Sequence, residues 1–179
     1  MKNVLIISTS IRNNSNSEIL AHETERGAKD AGHNVEFVTL KDKDIKFCKG
    51  CLACQKLGKC VINDDANEIT SKMKDADVIV WATPIYYYEM SGQMKTLIDR
   101  ANSLYATGHK FSQVYLITTS ADSSKGVAQC VINGLNGWLA CFDGVKLCGW
   151  LEAGGIDNPN DILQNNKLME QAYKMGKEI

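Results

Sequence analysis

Short apolar runs alternate along the chain with stretches whose apolar positions recur at helical spacing. Asn3-Val-Leu-Ile-Ile-Ser8 is continuously apolar inside, the pattern of a strand buried on both faces. From Glu18 to about Ala31, Ile19, Leu20, Thr24, Gly27, Ala28 and Ala31 share one helical face, and Gly32 is a natural stop. Asn34 to Leu40 alternates as a second strand, with Val35, Phe37 and Val38 apolar. Asp64-Asp65 offers an N-cap and first-turn charge for a helix reaching about Lys74. A strand at Asp77 to Ala82, a helix at Gly92 to Tyr105, a strand at Val114 to Thr119, a helix at Ser123 to Cys141, a strand at Val145 to Leu151 and a helix at Asn160 to Gly176 complete the order. A βα unit repeated five times predicts an α/β chain: a three-layer, doubly wound sheet of five parallel strands in one domain, 1–179.

Ligands of such sheets sit outside the carboxyl ends of the strands, so the segments there carry the candidate chemistry. After the first strand, Ser10, Arg12, Ser15, Asn16 and Ser17 place hydroxyl, amide and guanidinium donors where a helix N-terminus points its free N–H groups, the geometry of a phosphate site. A polar N-cap turn uses the same residues. There is no G-x-G-x-x-G and no Walker lysine. After the third strand, Thr83-Pro84-Ile85-Tyr86-Tyr87-Tyr88 offers rings to stack on a flat ligand and amides to meet its edge; the alternative is an apolar lid. After the fourth, Thr118 to Ser124 is small and polar, suited to a site floor or to a plain capped loop.

One connection is too long for a simple turn. The 24 residues from Lys41 to Asp64 hold four of the seven cysteines, Cys48, Cys51, Cys54 and Cys60, spaced C-x2-C-x2-C-x5-C. Thiols at successive three-residue steps suit an iron–sulfur cluster. Free thiols, a redox disulfide and zinc stay open as alternatives. Cys130, Cys141 and Cys148 stand in apolar surroundings and are expected to be buried, as are Trp81, Trp138 and Trp150. His22, His33 and His109 have no ligand spacing, and no Ser-His-Asp or Cys-His order supports hydrolysis.

A net charge of −1 gives no field to recruit nucleic acid or a membrane surface. No apolar run spans a bilayer, and Met1-Lys2-Asn3 enters a strand with no signal-peptide pattern. A cytoplasmic chain with reduced thiols is expected.

Three motifs carry a resemblance: Ser8 to Ser17; Thr83-Pro84-Ile85-Tyr86 followed by Ser91-Gly92, Met94-Lys95 and Asp99-Arg100; and the cysteine run leading into Asp64-Asp65. Over about residues 1–150 the chain resembles the NADPH-dependent FMN reductase family of the flavodoxin-like fold, and within it the iron–sulfur flavoproteins. The resemblance implies non-covalent FMN, its phosphate cradled by Ser8 to Ser17 and its ring along Thr83 to Tyr88 and Ser120, Ala121 and Asp122. It implies NAD(P)H as co-substrate and a homodimer or homotetramer. It also implies a small-molecule acceptor or a redox protein as partner, with a [4Fe–4S] cluster on the four loop cysteines in one branch. The flavin then carries the chemistry, and no catalytic side chain is assigned. A non-catalytic flavodoxin-like electron carrier and a thiol or metal redox sensor are the alternative functions; the near-neutral charge disfavours the carrier, since carriers are usually strongly acidic.

Overall fold

The computed structural model describes all residues, Met1–Ile179. Strands β1 (Asn3–Ser8), β2 (Asn34–Thr39), β3 (Val78–Tyr86), β4 (Glu89–Met90), β5 (Gln113–Thr119) and β6 (Lys146–Ala153) form one sheet in the order β2-β1-β3-β5-β6, with β4 pairing on β3. The pairings along that path are all parallel. The expected five parallel strands are therefore present, and the sheet has a sixth, antiparallel strand that the sequence reading lacks. Its cause is local. β3 runs on through Pro84 to Tyr86, turns tightly, and pairs Tyr86 with Glu89 and Ile85 with Met90.

Helices α1 (Asn16–Asp30) and α7 (Asn166–Lys177) cover one face, and α3 (Ala66–Asp75), α4 (Gly92–Arg100) and α6 (Gln129–Leu139) the other. Alternate residues of the buried strands serve the two layers. Val4 and Ile6 of β1 and Val78 and Val80 of β3 pack toward Leu20, Ala28 and Ala172; Leu5, Ile7, Ile79 and Trp81 pack toward Met73, Met94, Leu97 and Leu135. This explains why β1 reads as an uninterrupted apolar run.

Short helices α2 (Ala53–Leu57) and α5 (Ser103–Thr107) lie outside the simple repeat. α6 begins at Gln129 rather than Ser123, and the closing helix is preceded by a 3-10 turn at Asp161–Gln164. Trp150, Cys130, Cys141 and Cys148 are exposed, against expectation. β6 is an edge strand, and its Lys146, Cys148, Trp150 and Glu152 face solvent. Apolar neighbours in sequence do not bury a side chain at the edge of a sheet, nor one on the exposed face of a helix, where Cys130 of α6 lies.

Gly27 and Gly176 set the crossing of α1 and α7. A Cβ on Gly27 would overlap the Tyr173 carbonyl oxygen, and one on Gly176 the Thr24 carbonyl oxygen. At this contact Thr24 Oγ1 donates to the Ala172 carbonyl at 3.0 Å.

Candidate functional site

The carboxyl ends of β1, β3 and β5 open on a cavity of about 180 Å³. Ser10, Arg12, Ser15 and Asn16 form one wall, Pro84, Ile85 and Tyr86 another, and Thr119, Ser120 and Ala121 a third. Ser15 is the N-cap of α1, yet its hydroxyl caps nothing. It pairs with Ser17 Oγ at 3.0 Å, which leaves first-turn amides open at the positive end of the helix dipole. Ser10, Ser15, Asn16 and Ser17 are all buried, and each has a hydrogen-bond partner within the protein.

The fourth wall is a surprise. Ile156 and Asp157, in the loop after β6, complete the cavity. Arg12 Nη1 donates to the Asp157 carbonyl at 2.6 Å. Asn16 Nδ2 donates to the Asn158 carbonyl at 2.8 Å, and Asn16 Oδ1 accepts from Ile162 N. Asn16 is thus spent holding the wall, while Arg12 keeps further donors. The signal for this loop was its place after a strand, with the Gly154-Gly155 pair at its start. Gly154 lets it close in, since a Cβ there would stand 2.8 Å from the Asp122 carbonyl oxygen.

Of the other anticipated residues, Ser8 and Ser17 lie beneath the cavity. Ser8 Oγ donates to Glu18 at 2.8 Å. Thr83 is fully buried and locks the turn: its Oγ1 donates to the Pro84 carbonyl and accepts from Ser91 N. Thr9 Oγ1 bonds Ser91 Oγ at 3.0 Å, and Ser91 caps α4 through Met94 N. One buried hydroxyl chain therefore ties the first loop, the ring-bearing turn and the start of α4 together.

Tyr87 is wholly exposed, and Tyr88 OH donates to Asp122 Oδ2 at 3.1 Å, linking the β3–β4 turn to the β5–α6 loop. That bond raises the Tyr88 pKa; Asp122 is held low, chiefly by Ser124. The turn itself is strained. Tyr87 and Tyr88 have φ of 50° and 66°, the left-handed pair of a type I′ hairpin that Asn-Gly normally fills. Replacing them together (Tyr87→Asn with Tyr88→Gly) is expected to raise stability by about 1 kcal/mol, or about 2–4 °C in Tm. An unchanged or lower Tm on thermal unfolding would show that the turn is not strained. Such strain persists where the side chains serve a site.

The four loop cysteines are free thiols. Cys48 and Cys51 are exposed, Cys60 is half-buried and Cys54 is buried, its Sγ accepting from Asn102 Nδ2 at 3.3 Å. As the loop stands, no three His, Cys, Asp or Glu side chains are grouped to hold a metal ion. The loop is anchored by a buried ion pair. Arg100, at the end of α4, forks onto Asp64 at 2.5 and 2.8 Å, and both side chains are inaccessible to solvent. The guanidinium also donates to the carbonyls of Lys46 and Ile62, and Asp64 accepts from Lys46 N and Ala66 N. Asp64, and after it the Cys60 thiol, raises the Arg100 pKa against the effect of burial. Burial pushes the Asp64 carboxyl up, but Arg100 and the two amides outweigh it and hold it low.

A profile of the NADPH-dependent FMN reductase family matches residues 2–142. An iron–sulfur flavoprotein of Methanocaldococcus jannaschii is 41% identical over 182 residues, which span 98% of this chain and 94% of that protein. An iron–sulfur flavoprotein of Methanosarcina thermophila is 31% identical over 173 residues, or 94% of this chain and 91% of that one. Among solved structures, an NAD(P)H:quinone oxidoreductase from Methanothermobacter marburgensis superposes with a TM-score of 0.75 at 16% identity, covering 99% of this chain and 96% of the other, a likeness of fold.

Proposed function

The chain belongs to the NADPH-dependent FMN reductase family, and we propose that its FMN lies in the cavity at the ends of β1, β3 and β5. The chain is an NAD(P)H-dependent, FMN-containing oxidoreductase. The observation that carries the placement is the uncapped N-terminus of α1, with buried Ser10 and Ser15 and the Arg12 guanidinium, opening into the same cavity as Pro84–Tyr86 and Thr119–Ala121. The donor set fits the cofactor: open amides, hydroxyls and one cation suit a phosphate, and the Pro84–Tyr86 turn suits a planar ring.

Bound FMN supplies the hydride and electron transfer. The protein's residues do the holding. Ser10, Ser15, Arg12 and the first amides of α1 bind the phosphate. Pro84, Ile85, Tyr86, Ser120 and Ala121 present and orient the ring, and the Thr9–Ser91–Thr83 hydroxyl chain keeps the two walls in register. The Tyr88–Asp122 bond ties the β3–β4 turn to the β5–α6 loop. No acid or base in the cavity is asked to move a proton.

For the cysteine loop we propose a [4Fe–4S] cluster on Cys48, Cys51, Cys54 and Cys60. The support is their spacing, their free state and the iron–sulfur flavoprotein relatives. The donor chemistry fits, since four thiols lie on one loop, although their positions here do not form a ligand group; Cys48, Cys51, Cys54 and Cys60 would hold the cluster, which would supply one-electron transfer. The unit is one FMN-binding domain over 1–179, with the cysteine-rich loop at 41–64. Ile11 and Phe47, exposed around one shared cavity, and Tyr87 support a homodimer or homotetramer. No helix is long and apolar enough to cross a membrane, and we place the protein in the cytoplasm, with a small-molecule acceptor or a redox protein receiving its electrons.

The purified chain is expected to be yellow and to oxidise NAD(P)H when an acceptor is added. A colourless protein that takes up no FMN overturns this reading.

A further inference from the structure

Two side-chain donors stand among the loop cysteines with no role in the flavin cavity. Asn102, the residue before α5, gives its Nδ2–H to Cys54 Sγ at 3.3 Å. Arg100 is 2% exposed and uses both Nη atoms on Asp64 and the loop carbonyls. Its Nε–H is buried with no hydrogen-bond partner, an expensive condition for a charged group's donor. Asn67 adds a brace, its Nδ2 donating to the Cys60 carbonyl at 3.2 Å and the Ile62 carbonyl at 2.9 Å. Cys54 is therefore held by Asn102 of the α4–α5 link and the Cys60 main chain by Asn67 of α3 before any cluster is bound, while Cys48 and Cys51 are exposed.

Resting on the cluster reading above, we propose that Asn102 and Arg100 are positioning residues for the cluster: the Asn102 Nδ2–H bonds the Cys54 sulfur, fixes that ligand and raises the cluster's reduction potential, and Arg100 fixes the loop around Cys60 through Asp64 and the carbonyls of Lys46 and Ile62. Hydrogen bonds to cluster sulfurs stabilise the reduced, more negatively charged state, and so tune the potential. Partners one step behind the ligands also govern how tightly the metal is held. The arrangement places one half of the site on a rigid base. Arg100 ends α4, the same nine-residue helix whose N-cap Ser91 is bonded to the ring-bearing turn. One helix thus connects the flavin wall to the cysteine loop.

The test uses anaerobically purified protein loaded with FMN and iron, as wild type, Asn102→Leu and Arg100→Lys. Asn102→Leu keeps the shape and removes the donor; Arg100→Lys keeps the charge and removes the fork. Three quantities are read: the cluster midpoint potential by redox titration with electron paramagnetic resonance, the rate of iron loss to a ferrous chelator, and the FMN content and potential as internal controls. Asn102→Leu is expected to shift the cluster to a more negative potential, and both variants to lose iron about tenfold faster or more, with the FMN couple unmoved. If Arg100→Lys fails to fold, seen as lost FMN, Asn102→Leu decides alone, because Asn102 lies outside the Arg100–Asp64 pair. Wild-type potential and iron retention in Asn102→Leu overturn the proposal and leave the cluster reading standing. Wild-type protein with FMN but no iron overturns the cluster reading itself.

Discussion

Replacing Arg100 with methionine is expected to lower the unfolding free energy by about 3–5 kcal/mol. The size follows from what is left behind. Asp64 stays fully shielded and loses both arms of the fork, and the carbonyls of Lys46 and Ile62 lose their shared donor. An exposed pair such as Lys95–Asp99 sets the contrast, at about 0–1 kcal/mol. The effect has a pH signature. Because the folded carboxyl is held below its ordinary value, the pair contributes fully above the unfolded aspartate range, about pH 4, and its contribution is lost as pH falls through the lower folded value. Urea unfolding of both proteins at neutral pH should show the full gap, and the gap should narrow in strong acid. A neutral-pH loss under about 1 kcal/mol would mean that the pair behaves like a surface one.

Gly27→Val is expected to cost at least as much as the upper end of ordinary overpacking, about 3 kcal/mol. Its Cβ has no space: Tyr173 O overlaps it, and Lys177 N lies 3.0 Å away, both main-chain atoms that cannot rotate aside. α1 would have to lift off α7, opening the layer that holds Ala28 and Ala172 and the Thr24–Ala172 bond. Gly134 is the control, because a Cβ there meets only side-chain atoms, Met90 Cε at 3.2 Å and Glu89 Oε2 at 3.9 Å. Gly27→Val losing no more stability in urea than Gly134→Val would show that the crossing is not fixed by the glycines.

Much of this was readable in the chain because the cause was local. β1 matches its apolar run residue for residue, and Ser10 to Asn16 fall where a strand must turn into a helix. Other parts depend on contacts that no local pattern carries. Asp157 reaches the cavity through a bond to Arg12, 145 residues away. Arg100 stands in the sequence only as half of the Asp99-Arg100 pair, inside the helix expected from Gly92 to Tyr105; only the folding of the loop makes it a buried clasp. Trp150 looks like core until β6 proves to be the edge of the sheet. The paired tyrosines of the β3–β4 turn occupy positions where sequence rules expect Asn-Gly, and so conceal a hairpin. There a local rule gives way beside the candidate site.

The placement of the phosphate at the start of α1 is the claim on which the rest turns. Titrating the flavin-free protein with FMN and with riboflavin, followed by quenching of flavin fluorescence, tests it directly. Riboflavin has the same ring and chain and no phosphate. Charge-assisted bonds from Arg12, the α1 amides and the buried hydroxyls predict that FMN binds about 10–100-fold more tightly. Equal affinity for the two flavins would contradict the placement.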